Sequence, residues 1–283
     1  MTTPIDTRPV AIFGATGQQG GAVIDPLLAA GRPIRAIVRD PGSPKALALS
    51  GRGIEVVPGD QDDPESLLAA LRDVSAVFLM TTYTDATGTA GELRRGIAFA
   101  DVAARAGVPR VVYSSVGGAE RHSGVPHFES KYQIERHLES VLPTQIVRPT
   151  FFMENFTRQL GTGGAGEFVF RQPLPDYVAL QMISVRDVGA VVAAALIDAQ
   201  ALDHGAIEIA GDQLTGPQIA SRIGAHLGRP ARYEQLPLTV IKDDDLHAMF
   251  RWFTDTPSYQ ADFARTRSLD PDVLDLAGWL ALH

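Results

Sequence analysis

The sequence predicts an α/β fold, a doubly wound parallel sheet with a smaller, mixed C-terminal lobe. Three observations predict it. Short apolar runs alternate with helical stretches through the first 150 residues, and those runs carry no polar face, as strands covered on both sides require. A glycine-rich loop joins the first strand directly to the first helix. The length, 283 residues, suits one large α/β domain or a nucleotide-binding domain with an appended lobe.

The elements follow in order. Val10 to Phe13 is a short apolar run that meets glycine at once, a buried strand. Gln18 to Ala30 reads as a helix stopped by Gly31. Ile34 to Val38 and Ile54 to Val57 are the next strands, the latter closed by Pro58-Gly59-Asp60. Asp63-Pro64-Glu65 starts a helix, with an N-cap acid, proline in the first turn and a second acid at the positive helix end. Ala76 to Met80 is the fourth strand, Gly91 to Ala106 a helix ended by Gly107, and Arg110 to Tyr113 the fifth strand. His127 to Leu142 is helical and Gln145 to Val147 is a sixth strand. Right-handed crossovers wind such a series into a Rossmann-type sheet.

After Pro149 the rhythm loosens. Gly161 to Gly166 reads as a flexible loop, Val188 to Ile197 and Pro217 to Leu227 as helices, and Ala206 to Ile209 as a strand between them. Asp243 to Asp245 caps a helix running to Phe253. The expected division is a dinucleotide-binding core over residues 8–150 and a smaller lobe over 151–283, partly interleaved with it because later elements can extend the sheet.

Composition narrows the function. Hydrophobic residues make up 45% and charged residues 20%, which argues against disorder and coiled coil. Net charge is −8, from 25 basic and 33 acidic residues, which opposes non-specific nucleic-acid binding. There are no cysteines, so disulfides, thiol catalysis and cysteine-ligated metals are excluded. The seven histidines are scattered without metal-ligand spacing. No apolar stretch approaches the roughly 20 residues of a membrane span. A cytoplasmic protein without nucleic-acid or membrane partners is expected.

The loop Gly14-Ala15-Thr16-Gly17-Gln18-Gln19-Gly20 has the spacing G-x-x-G-x-x-G. Glycines there allow a tight turn and close backbone approach, so that the helix N-terminus faces a pyrophosphate. Its place, after the first strand and opening the first helix, is the context that confirms a dinucleotide site. The second strand ends in Val38-Arg39-Asp40. Asp40 stands about 20 residues past the loop, where an acid would hold the ribose of NAD. Arg39 comes first, and a guanidinium there pairs with a 2′-phosphate. Arg35 is a candidate second cation, and Asp40 alternatively caps the turn before Pro41. NADP(H) is favoured.

These residues, with Gly59-Asp60-Gln61-Asp62-Asp63, Thr81-Thr82-Tyr83, His127-Phe128-Glu129-Ser130-Lys131 and Glu154-Asn155-Phe156, run through most of the chain. Together they resemble NmrA-like proteins, an atypical branch of the short-chain dehydrogenase/reductase superfamily. The pattern is nearest to NADPH-sensing members, with bacterial quinone reductases a looser match. The resemblance implies that Gly14, Ala15, Thr16, Gly17, Gln18 and Gln19 cradle the pyrophosphate and that Arg39 holds the 2′-phosphate. It places Asp60 and Gln61 beside the adenine, and Thr81, Thr82 and Tyr83 near the nicotinamide-side ribose. Lys131 would bond that ribose, and Phe152, Met153, Glu154 and Asn155 would close over the nicotinamide.

Ordinary members of the superfamily carry a proton-donating tyrosine one helical turn before the lysine. Here that position is His127, which can transfer a proton near neutral pH or simply line the pocket. Tyr132 points about 100° away round the helix. Ser114 and Ser115 end the fifth strand near the usual serine position, or merely cap it. Phe151, Phe152, Phe156, Met249, Trp252, Phe253 and Tyr259 are candidates for a pocket wall or for plain core. The catalytic set, Lys131 and His127, is therefore incomplete. The sequence favours a cofactor-responsive regulator with a protein partner. The alternative is a reductase passing hydride to a quinone-like or carbonyl small-molecule acceptor.

Overall fold

The computed structural model describes residues 7–160, 166–202, 205–255 and 258–283. Two compact units are built from alternating stretches of chain. The first comprises the chain up to Ser115, with Ser130–Val147 and Val188–Ile207; the second comprises Val116–Glu129, Arg148–Asp187 and Glu208–His283. The glycine-rich stretch expected as a loop lies, except for Gly166, outside the described residues.

The chain opens as β1 (Val10–Phe13), α1 (Gln18–Ala29), β2 (Ile34–Val38), α2 (Pro44–Gly51), β3 (Glu55–Pro58), α3 (Pro64–Ala70), β4 (Ala76–Met80) and α4 (Gly88–Arg105). It continues as β5 (Val111–Ser114), α5 (Pro126–Val141) and β6 (Thr144–Pro149). The predicted elements are all present, with ends displaced by a few residues. The added helix is α2, whose Pro44 fills the first turn behind an extended Ser43. Asp63 caps α3 as expected, its carboxylate accepting from the backbone N–H groups of Glu65 and Ser66.

Beyond β6 come β7 (Phe151–Phe152), α6 (Thr157–Leu160), β8 (Phe168–Gln172), β9 (Ala179–Ile183), α7 (Val185–Ile197) and β10 (Ala206–Ile209). The chain then forms β11 (Asp212–Thr215), α8 (Gly216–Leu227), β12 (Ala231–Gln235), α9 (Asp244–Asp255), α10 (Phe263–Leu269) and α11 (Leu276–Leu280). The main sheet has seven strands in the order β10, β6, β5, β4, β1, β2, β3. Strands β1 to β6 run parallel. The order reverses between β1 and β4, the switch point at which doubly wound sheets bind ligands. No helix among the described residues is long and apolar enough to cross a membrane.

In the first unit, Val77, Leu79, Phe99, Tyr113, Ile134 and Leu138 form one buried cluster under α4 and α5. Gly96 brings these two helices together, since a Cβ there would lie 2.5 Å from Ile134 Cδ1. Gly189 of α7 does the same against α1, where a Cβ would stand 2.3 Å from the Ala22 carbonyl oxygen. In the second unit, β11 and β7 flank β9, and β12 pairs in parallel with β8. Its core is aromatic: Phe128, Phe151, Phe156, Phe170, Trp252, Phe253, Tyr259 and Trp279 are buried together, with Met249. Phe151, Phe156, Met249, Trp252, Phe253 and Tyr259 are thus core residues.

Two buried carboxylates, Asp187 and Asp270, also share the second unit. Burial, then the neighbouring Asp187 charge, pushes the Asp270 carboxyl up from 3.8 to about 6. The folded protein therefore holds this proton more tightly than the unfolded chain does. Its stabilising share is fully present below about pH 4 and is lost as pH rises through 6, about 2–3 kcal/mol in all.

Two outcomes are expected. Gly189→Ala should lower stability by about 1–3 kcal/mol, because the obstructing atom is backbone and cannot rotate away; an unchanged urea midpoint would contradict the close approach of α7 to α1. Asp270→Asn should be more stable than the parent at pH 7.5, and the difference should shrink at pH 4.5. Parallel urea curves at the two pH values would show this, and a pH-independent difference would refute the raised carboxyl.

Candidate cofactor site

The first unit gathers its candidate residues at the carboxyl ends of its strands. After β1 the chain turns through Gly14 with φ +70°, a left-handed conformation that favours glycine. The Gly17 N–H closes that turn onto the Gly14 carbonyl at 2.9 Å. Gly20 then passes so near the turn that a Cβ would lie 2.4 Å from Gly14 O and 2.7 Å from its carbonyl carbon. Gly17 begins α1 without a side-chain cap, and the first turn holds no acid. Its first N–H groups and the positive helix end are therefore available to an anion. Ala15 is buried and Gln18 exposed. The Gln19 side chain accepts from Ser114 Oγ at 2.6 Å, tying the loop to the end of β5. Thr16 presents its carbonyl to Lys45 Nζ at 3.4 Å, a cation that the sequence reading missed.

At the end of β2, Arg39 is exposed and makes no hydrogen bond or ion pair with any described residue. Asp40 turns back on its own chain: Oδ1 accepts from Gly42 N–H at 2.9 Å. That is the capping alternative, and it ties Oδ1 to the turn before Pro41. Arg35 is not a second phosphate cation. It sits near the start of β2, where Nε pairs with Glu55 at 2.8 Å and Nη1 donates to the carbonyls of Ala70 and Arg72. After β3, the Asp60 carboxylate accepts from Asp62 N–H at 3.0 Å. Gln61 Nε2 is buried without a hydrogen-bond partner among the described residues.

The end of β4 is the most polar part of the unit's interior. Thr81 Oγ1 donates to Glu92 Oε1 at 2.8 Å and lies 2.9 Å from the Tyr113 hydroxyl. Lys131 Nζ donates to Glu92 Oε1 at 2.7 Å, to Thr81 O at 3.1 Å and to Thr81 Oγ1 at 3.2 Å. Burial would raise the Glu92 carboxyl, but the Lys131 charge and the hydrogen bonds to it outweigh burial and hold it below its ordinary value. Burial, then the Glu92 charge, pushes the Tyr113 phenol well above 10, so it stays protonated. Thr82 is exposed and Tyr83 half-buried. Arg95 clamps the loop between them and α4, donating to Thr82 O at 3.2 Å and pairing with Asp85 at 2.7 Å. Ser115 Oγ is buried and unpaired at the end of β5.

In the second unit, His127 is buried. Its Nδ1 hydrogen-bonds the Asp245 carboxylate, which also accepts the His127 backbone N–H at 2.8 Å. Asp243, two residues earlier, caps α9 as expected. Met153 lies fully inside the aromatic core. Glu154 Oε1 accepts from Val185 N–H at 3.0 Å and Trp279 Nε1 at 3.1 Å. Met153 is thus committed to the unit's interior, and Glu154 is held there through Oε1 while its Oε2 is buried without a partner; Phe152 is half-buried and Asn155 exposed.

A dinucleotide fits the first unit's residues: a cradle that a Cβ would fill, an uncapped helix end, a solitary guanidinium and an orphaned buried amide. The NmrA-like family profile matches residues 6–278. The chain belongs to the NmrA-like family. Among NmrA-like and related proteins, an NAD(P)H azoreductase from Xenophilus azovorans is 31% identical over 239 residues, covering 82% of this chain and 79% of that protein. A (4-alkanoyl-5-oxo-2,5-dihydrofuran-3-yl)methyl phosphate reductase from Streptomyces griseus is 33% identical over 231 residues, covering 80% and 77%. The triphenylmethane reductase of Citrobacter sp., complexed with NADP(H), shares the fold with a TM-score of 0.81 at 19% identity, over 97% of this chain and 99% of that one.

Gly20→Ala should keep the fold yet weaken NADPH binding at least about tenfold, because relieving a 2.4 Å contact with Gly14 O must open the loop. Fluorescence titration, with a melting curve for folding, checks this; undiminished affinity would remove the loop from the site.

Proposed function

We propose that this NmrA-like protein is an NADP(H)-dependent reductase acting on conjugated, electron-poor small molecules such as quinones, azo compounds or unsaturated carbonyls. The observation that carries its cofactor half is Arg39, an exposed guanidinium without a described partner, at the end of the strand beside the glycine loop; the acceptor half is supported by the reductases among the relatives. Arg39 matches a 2′-phosphate, whereas Asp40 caps its own turn through one oxygen. When bound, the cofactor supplies the hydride. The chain's residues do the rest. The first N–H groups of α1 hold the pyrophosphate, Asp60 and Gln61 flank the adenine, and Thr82 and Tyr83 line the ribose side.

A two-electron reduction also needs a proton. His127 occupies the helix position of the missing tyrosine, and Asp245 fixes its ring through Nδ1. The reductases among the relatives support acceptor chemistry of this class. The regulator remains the second reading. It is favoured by the absent tyrosine and by Lys131, whose three donors are already used within the protein.

The test is NADPH oxidation against a panel of quinones, azo compounds and enones. Turnover is expected, with Arg39→Glu weakening NADPH about 100-fold and NADH little, since the change replaces a phosphate partner with a repelling charge. Equal losses for both cofactors would cancel the role of Arg39. Tight NADPH binding without turnover across the panel would instead favour the regulator.

A further inference from the structure

The ion pair between Glu92 and Lys131 lies wholly within the first unit. It is built from two helices that Gly96 allows to touch, with Glu92 one turn before Gly96 on α4 and Lys131 just before Ile134 on α5. Glu92 has no exposed surface. Its Oε1 receives Lys131 Nζ at 2.7 Å and Thr81 Oγ1 at 2.8 Å, and its Oε2 receives Ser130 Oγ at 2.6 Å. The carboxylate is thus held by strand and helix at once. Lys131 is held unequally: its shortest bond is to Glu92, and its two longer ones are to Thr81.

We propose that Glu92 is the positioning residue of the cofactor site, fixing the Lys131 ammonium at the carboxyl end of β4 as a standing cation for the ribose half of NADP(H). This rests on the NADP(H) reading above. The Glu92 bond is the fixed point, and the longer Thr81 bonds are those a ligand oxygen can replace. Lys131 then works as a charge and a donor, and not as a source of protons. A charged lysine this deep needs its counter-ion, because an unpaired ammonium in such surroundings sheds its proton. The other ionisable groups around it do not replace Glu92. Tyr113 stays neutral, and Arg95 is a like charge engaged with Asp85. Glu135, one turn along α5, is a second buried carboxylate near enough to act on Tyr113, but the Lys131 ammonium is bonded to Glu92 and not to it.

The experiment is NADPH binding by fluorescence titration from pH 7 to 9, above the titration of the 2′-phosphate near 6. It compares the parent, Glu92→Gln, Lys131→Met and the double variant, each with a melting curve. The parent's affinity should be flat across this range. Glu92→Gln should bind more weakly and lose about another tenfold by pH 9, as Lys131 gives up its proton. Lys131→Met should be weak and flat, and adding Glu92→Gln to it should change nothing further. A Glu92→Gln protein that melts lower but binds as the parent does at every pH would overturn the proposal. So would the same loss in both backgrounds. A parent that binds no NADPH would remove the cofactor reading itself, and this proposal with it. Should Glu92→Gln not fold, Ser130→Ala unties Oε2 alone; a few-fold weakening supports the proposal, and unchanged affinity overturns it.

Discussion

The first unit depends on the contact between Gly20 and the carbonyl of Gly14. No other residue type permits it, because a side chain would have to occupy the space of a backbone oxygen. The contact lays α1 against the end of β1 and turns its uncapped N–H groups toward the strand ends. Gly189 repeats the device further along the helix, bringing α7 onto Ala22. Two backbone-to-backbone approaches thus hold α1. An anion meeting its first turn meets donors already in place, with little ordering left to do.

Around this helix, the unit treats its charges in two ways. Interior charges are paired and hydrogen-bonded: Glu92 with Lys131, and Arg95 with Asp85 and the Thr82 carbonyl. Such pairs add little net stability compared with apolar packing, but leaving one member alone is costly, so they specify geometry at the end of β4. Arg39 is treated oppositely, left in solvent without a described partner where a phosphate would complete it. The second unit follows the first practice, with Arg121 paired to Glu208 and Arg148 to Glu120 around an aromatic core. Asp187 is paired with Arg186 and accepts from Leu274 N–H, whereas the neighbouring Asp270 keeps one buried oxygen without a partner and has its carboxyl pushed up.

The legible parts of this molecule are those set by local pattern. Val10–Phe13 and Ala76–Met80 are apolar throughout, and Ile34–Val38 is apolar but for Arg35, because both faces are covered; each is a strand at the predicted place. Asp63 announced its helix by capping chemistry alone. The helix α2 starts similarly, with Pro44 in the first turn, but Ser43 makes no side-chain cap and no acid follows, so its start carries the weaker signal. Arg35 shows the limit of reading by proximity in sequence: four residues before Arg39 in a strand is over 10 Å, and its guanidinium belongs to Glu55 and the end of α3. Met153 and Glu154 show another. Within a short irregular run, nothing local tells which side chains face the core.

The sequence by itself determined the Rossmann-type order of elements, the glycine cradle and the arginine at the end of β2. Each of these is encoded by neighbours within a few residues, through periodicity, backbone freedom and helix-end chemistry. Tertiary structure alone decided that Glu92 would meet Lys131, 39 positions away, and that Asp245 would meet His127 across 118. It also decided which strands pair in the second unit. These pairings depend on where helices and strands come to rest against one another, and no local periodicity records the partner of a buried charge.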